Sequence, residues 1–129
     1  MIVSFIILNY NRKDEVLFTL ANIYKTNKSA SFEIVLIDQN STDGSQEAIK
    51  EKFPQIKLYC SETNLGVAGG RNKGAEISNG EILVFLDDDA HFITDNSLEL
   101  IEEYFTKNKD SYIPSLIYLI IYLFKIRDE

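Results

Sequence analysis

The chain has 129 residues, 45% of them hydrophobic and 26% charged, enough for one domain with a single core. Its formal net charge of -7 argues against a nucleic-acid surface, because phosphate backbones are bound by basic patches. Cys60 is the one cysteine, which excludes an internal disulfide framework and suits a reducing cytoplasm. Met1 leads straight into a strand-like run without a basic n-region, so no secretory signal is expected.

The run Ile2 to Leu8 predicts a first strand. Asn11 stands where it can cap the next helix, with Asp14 three residues on, and Val16, Leu20, Ile23 and Tyr24 recur at helical spacing. Ile34 to Ile37 predicts a second buried strand, closed by Asp38. The turn cluster Asn40 to Gly44 leads into a short helix with Ala48, Ile49 and Phe53 on one face. Ile56, Leu58 and Cys60 alternate with Lys57 and Tyr59, the pattern of a strand with one more exposed face. Gly66 to Ile77 reads as a glycine-rich loop running into a helix. Ile82 to Leu86, flanked by Gly80 and by acids, reads as a buried parallel strand. Asn96 and Glu99 then cap a helix bearing Leu98, Ile101, Tyr104 and Phe105.

Strict alternation of strands and helices implies right-handed crossovers and a three-layer α/β/α domain with a mostly parallel sheet. No repeat or linker divides it, so residues 1–129 are expected to form one domain or part of one. After the interruption at Pro114 and Ser115, Leu116 to Phe124 is nine unbroken apolar residues, well short of the ~20 that cross a bilayer. The expectation is a buried core element. The alternatives are a surface docking on a membrane, on a second copy or on a further part of the protein.

Parallel strands put their carboxyl ends on one rim, where open α/β sheets bind ligands. Asn9-Tyr10-Asn11, Asp38-Gln39-Asn40 and Asp87-Asp88-Asp89 all fall on it. Carboxylates crowded at a strand end are hard to keep ionised without a cation, and such hard oxygen ligands suit Mg²⁺ or Mn²⁺ bridged to phosphate oxygens. Asp38 can accept hydrogen bonds from a base or ribose, or can simply close a turn onto Asn40 and Ser41. The stretch Asn64 to Gly74, with Arg71 and Lys73, either attracts a diphosphate to a helix amino end or packs a helix closely on the sheet. It matches neither the Walker nor the Rossmann glycine spacing. The aspartates lack the sixth-position glycine of an EF-hand loop. A phosphatase opening on an Asp-x-Asp strand would want a threonine where His91 stands, and His91 itself is weighed as a metal ligand or as incidental.

Taken together, Val3 to Arg12, Ile37 to Ser45, Asn64 to Gly74 and Phe85 to Asp89 resemble the family-2 glycosyltransferases of the GT-A fold, in order and in spacing. The resemblance covers roughly residues 2 to 107. It implies a nucleoside-diphosphate-sugar donor, UDP- or dTDP-linked, on the rim, and a saccharide or lipid-linked acceptor, with a lean towards surface polysaccharide synthesis. Asn9, Tyr10 and Asn11 would line the nucleotide pocket and Asp38 would hydrogen-bond the base, with Asn40 and Gly66 beside them. Arg71 would lie near base or diphosphate. Asp87 and Asp88 would face the donor, and Asp87 and Asp89 would hold a divalent metal, Mn²⁺ or Mg²⁺. The family's catalytic base lies well downstream of the Asp-x-Asp, and only forty residues follow Asp89 here. The expectation is therefore a donor-binding half without the base, cytoplasmic or peripheral to the inner face of a membrane. The alternative is a non-catalytic nucleotide-binding or assembly module that keeps the fold.

Overall fold

The structure is a computed structural model and describes residues 2–28, 31–90, 92 and 95–107, with a short strand at 118–119. His91 and the apolar tail, apart from that strand, lie outside the described residues. The elements in order are β1 (Val3–Asn9), α1 (Lys13–Thr26), β2 (Phe32–Asp38), α2 (Ser45–Lys52), β3 (Lys57–Cys60), α3 (Gly66–Ile77), β4 (Ile82–Leu86), α4 (Ser97–Lys107) and β5 (Tyr118–Leu119).

The strands form one sheet in the order β3-β2-β1-β4-β5, every pairing parallel. Registers Asn9↔Asp38 and Ile7↔Leu86 bring the ends of β1, β2 and β4 to one rim. The chain winds outward from β1 to β3, then crosses to the other side of β1 to lay down β4. That reversal between β1 and β4 is where such sheets leave a crevice.

Each face of the sheet has its own apolar layer. Val3, Phe5 and Ile7, with Ile34, Leu36, Ile82 and Val84, meet Val16, Leu20 and Ile23 of α1, Ile49 of α2 and Leu98, Ile101 and Phe105 of α4. On the opposite face Ile6, Val35, Ile37 and Phe85 pack with Ala75 and Ile77 of α3. This is the expected three-layer α/β/α arrangement.

Two local expectations are corrected. Gly66 to Ile77 is helical throughout, with no glycine-rich loop before it. The reason is packing. A Cβ on Gly70 would stand 2.6 Å from Gln39 Nε2 and 2.9 Å from Leu8 Cδ2, and one on Gly74 would collide with Ile6 Cγ2. The bare backbone lets α3 lie on the sheet more closely than any side chain allows.

Asn11, the expected cap of α1, is not that cap. It adopts φ 51°, its N–H donates to Ser41 Oγ at 2.9 Å, and its Oδ1 accepts from Thr42 N at 2.7 Å. The Lys13 N–H at the start of α1 instead donates to Asp43 Oδ2, 2.9 Å away in the loop after β2. The capping carboxylate comes from thirty residues further along the chain, which local spacing does not reveal.

Candidate functional site

A cleft of about 540 Å³ opens at the carboxyl rim between β1, β2 and β4, a size usual for small-ligand sites. Leu8, Asn9, Tyr10 and Arg12 supply the wall from β1, and Gln39 that from β2. Asn64, Gly66, Val67 and Arg71 contribute the start of α3, and Leu86 with the three aspartates closes the far side. Of the residues singled out in the sequence, Asn9, Tyr10, Gly66, Arg71, Asp87, Asp88 and Asp89 line one cleft. Asn11, Asp38 and Asn40 are not among its lining residues.

Asp38 stands behind the wall, 0% exposed. Its Oδ1 accepts from Asn9 Nδ2 at 2.9 Å, and its Oδ2 accepts from Ser41 N at 2.9 Å and Gln46 Nε2 at 2.6 Å. Three donors satisfy this buried carboxyl group and tie β1, the loop after β2 and α2 together. Asn9 shares that position, equally buried, and among the described residues its Oδ1 has no hydrogen-bond partner. Asn40 takes φ 69°, a left-handed conformation asparagine tolerates, and turns the chain away from the cleft into the capping loop.

Gln39, named in the sequence only as part of the rim cluster after β2, has a definite place in the structure. Its Oε1 accepts from Leu65 N at 2.7 Å and its Nε2 donates to Gly66 O at 2.8 Å, so one amide clasps the amino end of α3 to the end of β2. Asn64 Oδ1 adds a bond from Gly66 N at 2.9 Å.

The aspartate turn is held from beneath by α1. Ala90 N donates to Asp87 O at 3.1 Å, closing a tight turn with Asp88 and Asp89 at its tip. The fully buried Thr19 Oγ1 lies 2.7 Å from Asp88 O and 2.9 Å from Ala90 O, one hydroxyl shared by two carbonyls. One turn on, Asn22 Oδ1 accepts from Phe92 N at 2.7 Å and Asn22 Nδ2 donates to Phe92 O at 3.3 Å. At the helix end Asn27 Oδ1 accepts from Leu98 N at 3.1 Å, satisfying one of the free donors at the start of α4.

Two arginines face the carboxylates. Arg71 Nη2 lies 3.6 Å from Asp87 Oδ1, and its guanidinium carbon sits 5.7 Å from the centre of the Phe85 ring. Arg12, which the sequence reading placed only within a motif, brings Nε to 3.6 Å from Asp88 Oδ1 and Nη2 to 3.6 Å from Asp89 Oδ2. Burial pushes the Asp88 carboxyl up to about 6. Arg12 opposes that rise, and the neighbouring charges of Asp89, Asp87 and Glu15 add to it. Asp87 and Asp89 are about half exposed, at 47% and 53%.

Among the described residues no group of three or more histidine, cysteine, aspartate or glutamate side chains is arranged to hold a metal ion. A magnesium-type ion shared with a diphosphate takes only one or two protein carboxylates, the remaining positions going to phosphate and water. Asp87 and Asp89, open to the cleft and flanked by two guanidiniums, fit that kind of shared site. No helix among the described residues is long and apolar enough to cross a membrane.

The chain matches the model of the family described as Glycosyl transferase family 2 over residues 4–123. It is 36% identical over 103 residues to an uncharacterized glycosyltransferase of Haemophilus influenzae, covering 78% of this chain and 34% of that protein. It is 34% identical over 99 residues to the UDP-Glc:alpha-D-GlcNAc-diphosphoundecaprenol beta-1,3-glucosyltransferase WfaP of Escherichia coli, covering 72% and 37%. Among solved structures, S. aureus TarS in complex with UDP superposes at TM-score 0.71 and 25% identity, over 84% of this chain and 33% of that one. The mannosyltransferase PcManGT of Pyrobaculum calidifontis, in complex with GDP-Man and Mn²⁺, does so at TM-score 0.70 and 27% identity, over 80% and 32%. The chain spans about a third of the length of the curated relatives it matches.

Proposed function

The chain belongs to glycosyl transferase family 2, and on that premise we propose that it forms the donor-binding part of an enzyme moving a sugar from a nucleoside diphosphate to a saccharide or lipid-linked acceptor. The observation that carries the reading is the aspartate turn, where three carboxylates and two arginines meet across one open cleft. An acidic turn faced by fixed cations suits a ligand carrying both a diphosphate and a divalent metal.

In this reading the half-exposed Tyr10 ring offers the base a flat apolar surface at the β1 end of the cleft. Arg71, braced on Phe85, directs its guanidinium to the diphosphate. Asp87 and Asp89 would hold the metal, Mn²⁺ or Mg²⁺, which when bound would supply positive charge against the departing nucleoside diphosphate. Asp38 acts one layer behind, keeping Asn9 and the loop after β2 in place while its own oxygens are occupied.

UDP-sugars are the favoured donors, supported by the E. coli relative named for UDP-Glc and by the UDP complex of TarS. The lipid-linked acceptor in that relative's name supports placing the reaction in surface polysaccharide synthesis at the inner face of a membrane. The only acids lining the cleft among the described residues are Asp87, Asp88 and Asp89, so the base that activates the acceptor is assigned to no residue here.

The test is a thermal-shift panel of UDP, dTDP, GDP and CDP with and without Mn²⁺, repeated on Asp89→Ala. A ligand that binds only the folded state raises its stability by mass action, about 2.7 kcal/mol at a hundredfold excess over Kd. A Mn²⁺-dependent rise with UDP that disappears in Asp89→Ala is expected. No shift with any nucleotide would remove the donor-site reading and favour the module that only keeps the fold.

A further inference from the structure

We infer that Arg12 is a resident counter-cation of the aspartate turn, which a divalent metal must displace and which the donor's diphosphate then receives. The inference rests on the donor-site reading and goes beyond it, by making metal binding conditional on the nucleotide through one named side chain.

Every carboxylate of the turn has an arginine partner. Arg71 faces Asp87, and Arg12 spans Asp88 and Asp89, each contact at 3.6 Å. Among the described residues, two guanidiniums face the three carboxylates of the turn. A divalent cation arriving alone meets carboxylates already engaged and two positive groups beside them. A diphosphate arriving alone meets the carboxylates. Only the two together satisfy both sets, with oxygen ligands turning to the metal and arginine forks to the phosphate oxygens.

Arg12 is the arginine able to make that exchange. Arg71 is 29% exposed and lies over the Phe85 ring, whereas the Arg12 side chain is 46% exposed just before α1. Its Nη2 also lies 3.9 Å from Glu15 Oε1, which gives the guanidinium a second partner as it leaves Asp88 and Asp89. Because its contacts are ion pairs at 3.6 Å in partly exposed surroundings, each is weak enough to be exchanged.

The experiment measures Mn²⁺ binding directly, by the electron paramagnetic resonance signal of the free ion, on the wild type, Arg12→Met and Arg12→Lys, with and without saturating UDP. Mn²⁺ alone should bind Arg12→Met roughly fivefold more tightly than the wild type, as loss of two partly exposed ion pairs implies. The factor by which UDP tightens Mn²⁺ should fall roughly tenfold in the same variant, because the phosphate contact and the displaced cation are both gone. Arg12→Lys keeps the charge and should return Mn²⁺ alone to within about twofold of the wild type. A side chain that only contacts UDP, or only supports the fold, would weaken UDP without tightening Mn²⁺ alone. Unchanged or weaker Mn²⁺ binding by Arg12→Met, beside a wild type that binds Mn²⁺ and UDP together, overturns this inference and leaves the donor site standing. A wild type that binds neither removes both.

Discussion

Two strand ends on the same rim carry aspartates, and they are in opposite condition. Asp38, at the end of β2, is fully buried with both oxygens engaged by Asn9, Ser41 and Gln46. Asp87 and Asp89, at the end of β4, are half exposed and, among the described residues, held by arginine contacts at 3.6 Å. A carboxylate whose donors are all supplied by the protein is part of the frame. One that is left to distant, exchangeable charges is available for a ligand. Position on the rim does not separate these roles; the source of the hydrogen-bond donors does.

The sharpest way to break this contrast is Asp38→Ala. It would remove the acceptor of three hydrogen bonds, one of them between buried groups, and should lower stability by about 3–5 kcal/mol in urea unfolding. A loss below about 1 kcal/mol would show that the network behind the cleft is dispensable. Thr19→Val comes next. Removing the hydroxyl shared by Asp88 O and Ala90 O should cost about 1–2 kcal/mol. It should also weaken UDP–Mn²⁺ binding by loosening the turn; unaltered binding would mean that the turn holds its shape without α1.

Asp88 is the intermediate case, partly buried and partly paired. Its carboxyl titrates at about 6, above the ordinary 3.8, so the folded state holds this proton more tightly than the unfolded chain does. Its contribution to stability is therefore greatest at low pH, declines as pH rises from about 4 to about 6, and is level above that. Asp88→Asn should remove that decline and stabilise the protein at pH 7.5 by about 1 kcal/mol, read as the midpoint of thermal unfolding against pH. A midpoint that falls across the same pH window in Asp88→Asn would assign the slope to another group.

The smallest expected effect on stability is that of Asp89→Ala, within about 0.5 kcal/mol of the wild type. The same substitution should abolish metal-dependent nucleotide binding. A large loss of stability there would erase the distinction between the two strand ends.

The parallel sheet and the acidic end of β4 were legible because both depend on local pattern. An apolar run ending in acids says strand and strand end, and alternation of elements says parallel sheet. Arg12 was not legible as a partner of Asp88, because the two lie on separate elements and meet only when β1 and β4 pair. The occupancy of Asp38 was hidden for the same reason, since two of its donors come from Asn9 and Gln46. Thr19, Asn22 and Asn27 look like ordinary helix polar residues until their partners, about seventy residues on, are in place. The glycines of α3 misled in a different way. Their low helix propensity suggests a loop, and contact with Leu8, Gln39 and Ile6 overrides it.

That override leaves α3 with little helical stability of its own. Four of its twelve residues are glycine, each about 1 kcal/mol less favourable in a helix than alanine. The helix therefore borrows its order from the sheet and from the Gln39 clasp. It is suited to open as a unit while the strands stay paired, so its amides should exchange with deuterium well ahead of those of β1 and β2. A ligand resting on its amino end would then be recorded as slowed exchange along the whole helix, well beyond the residues it touches.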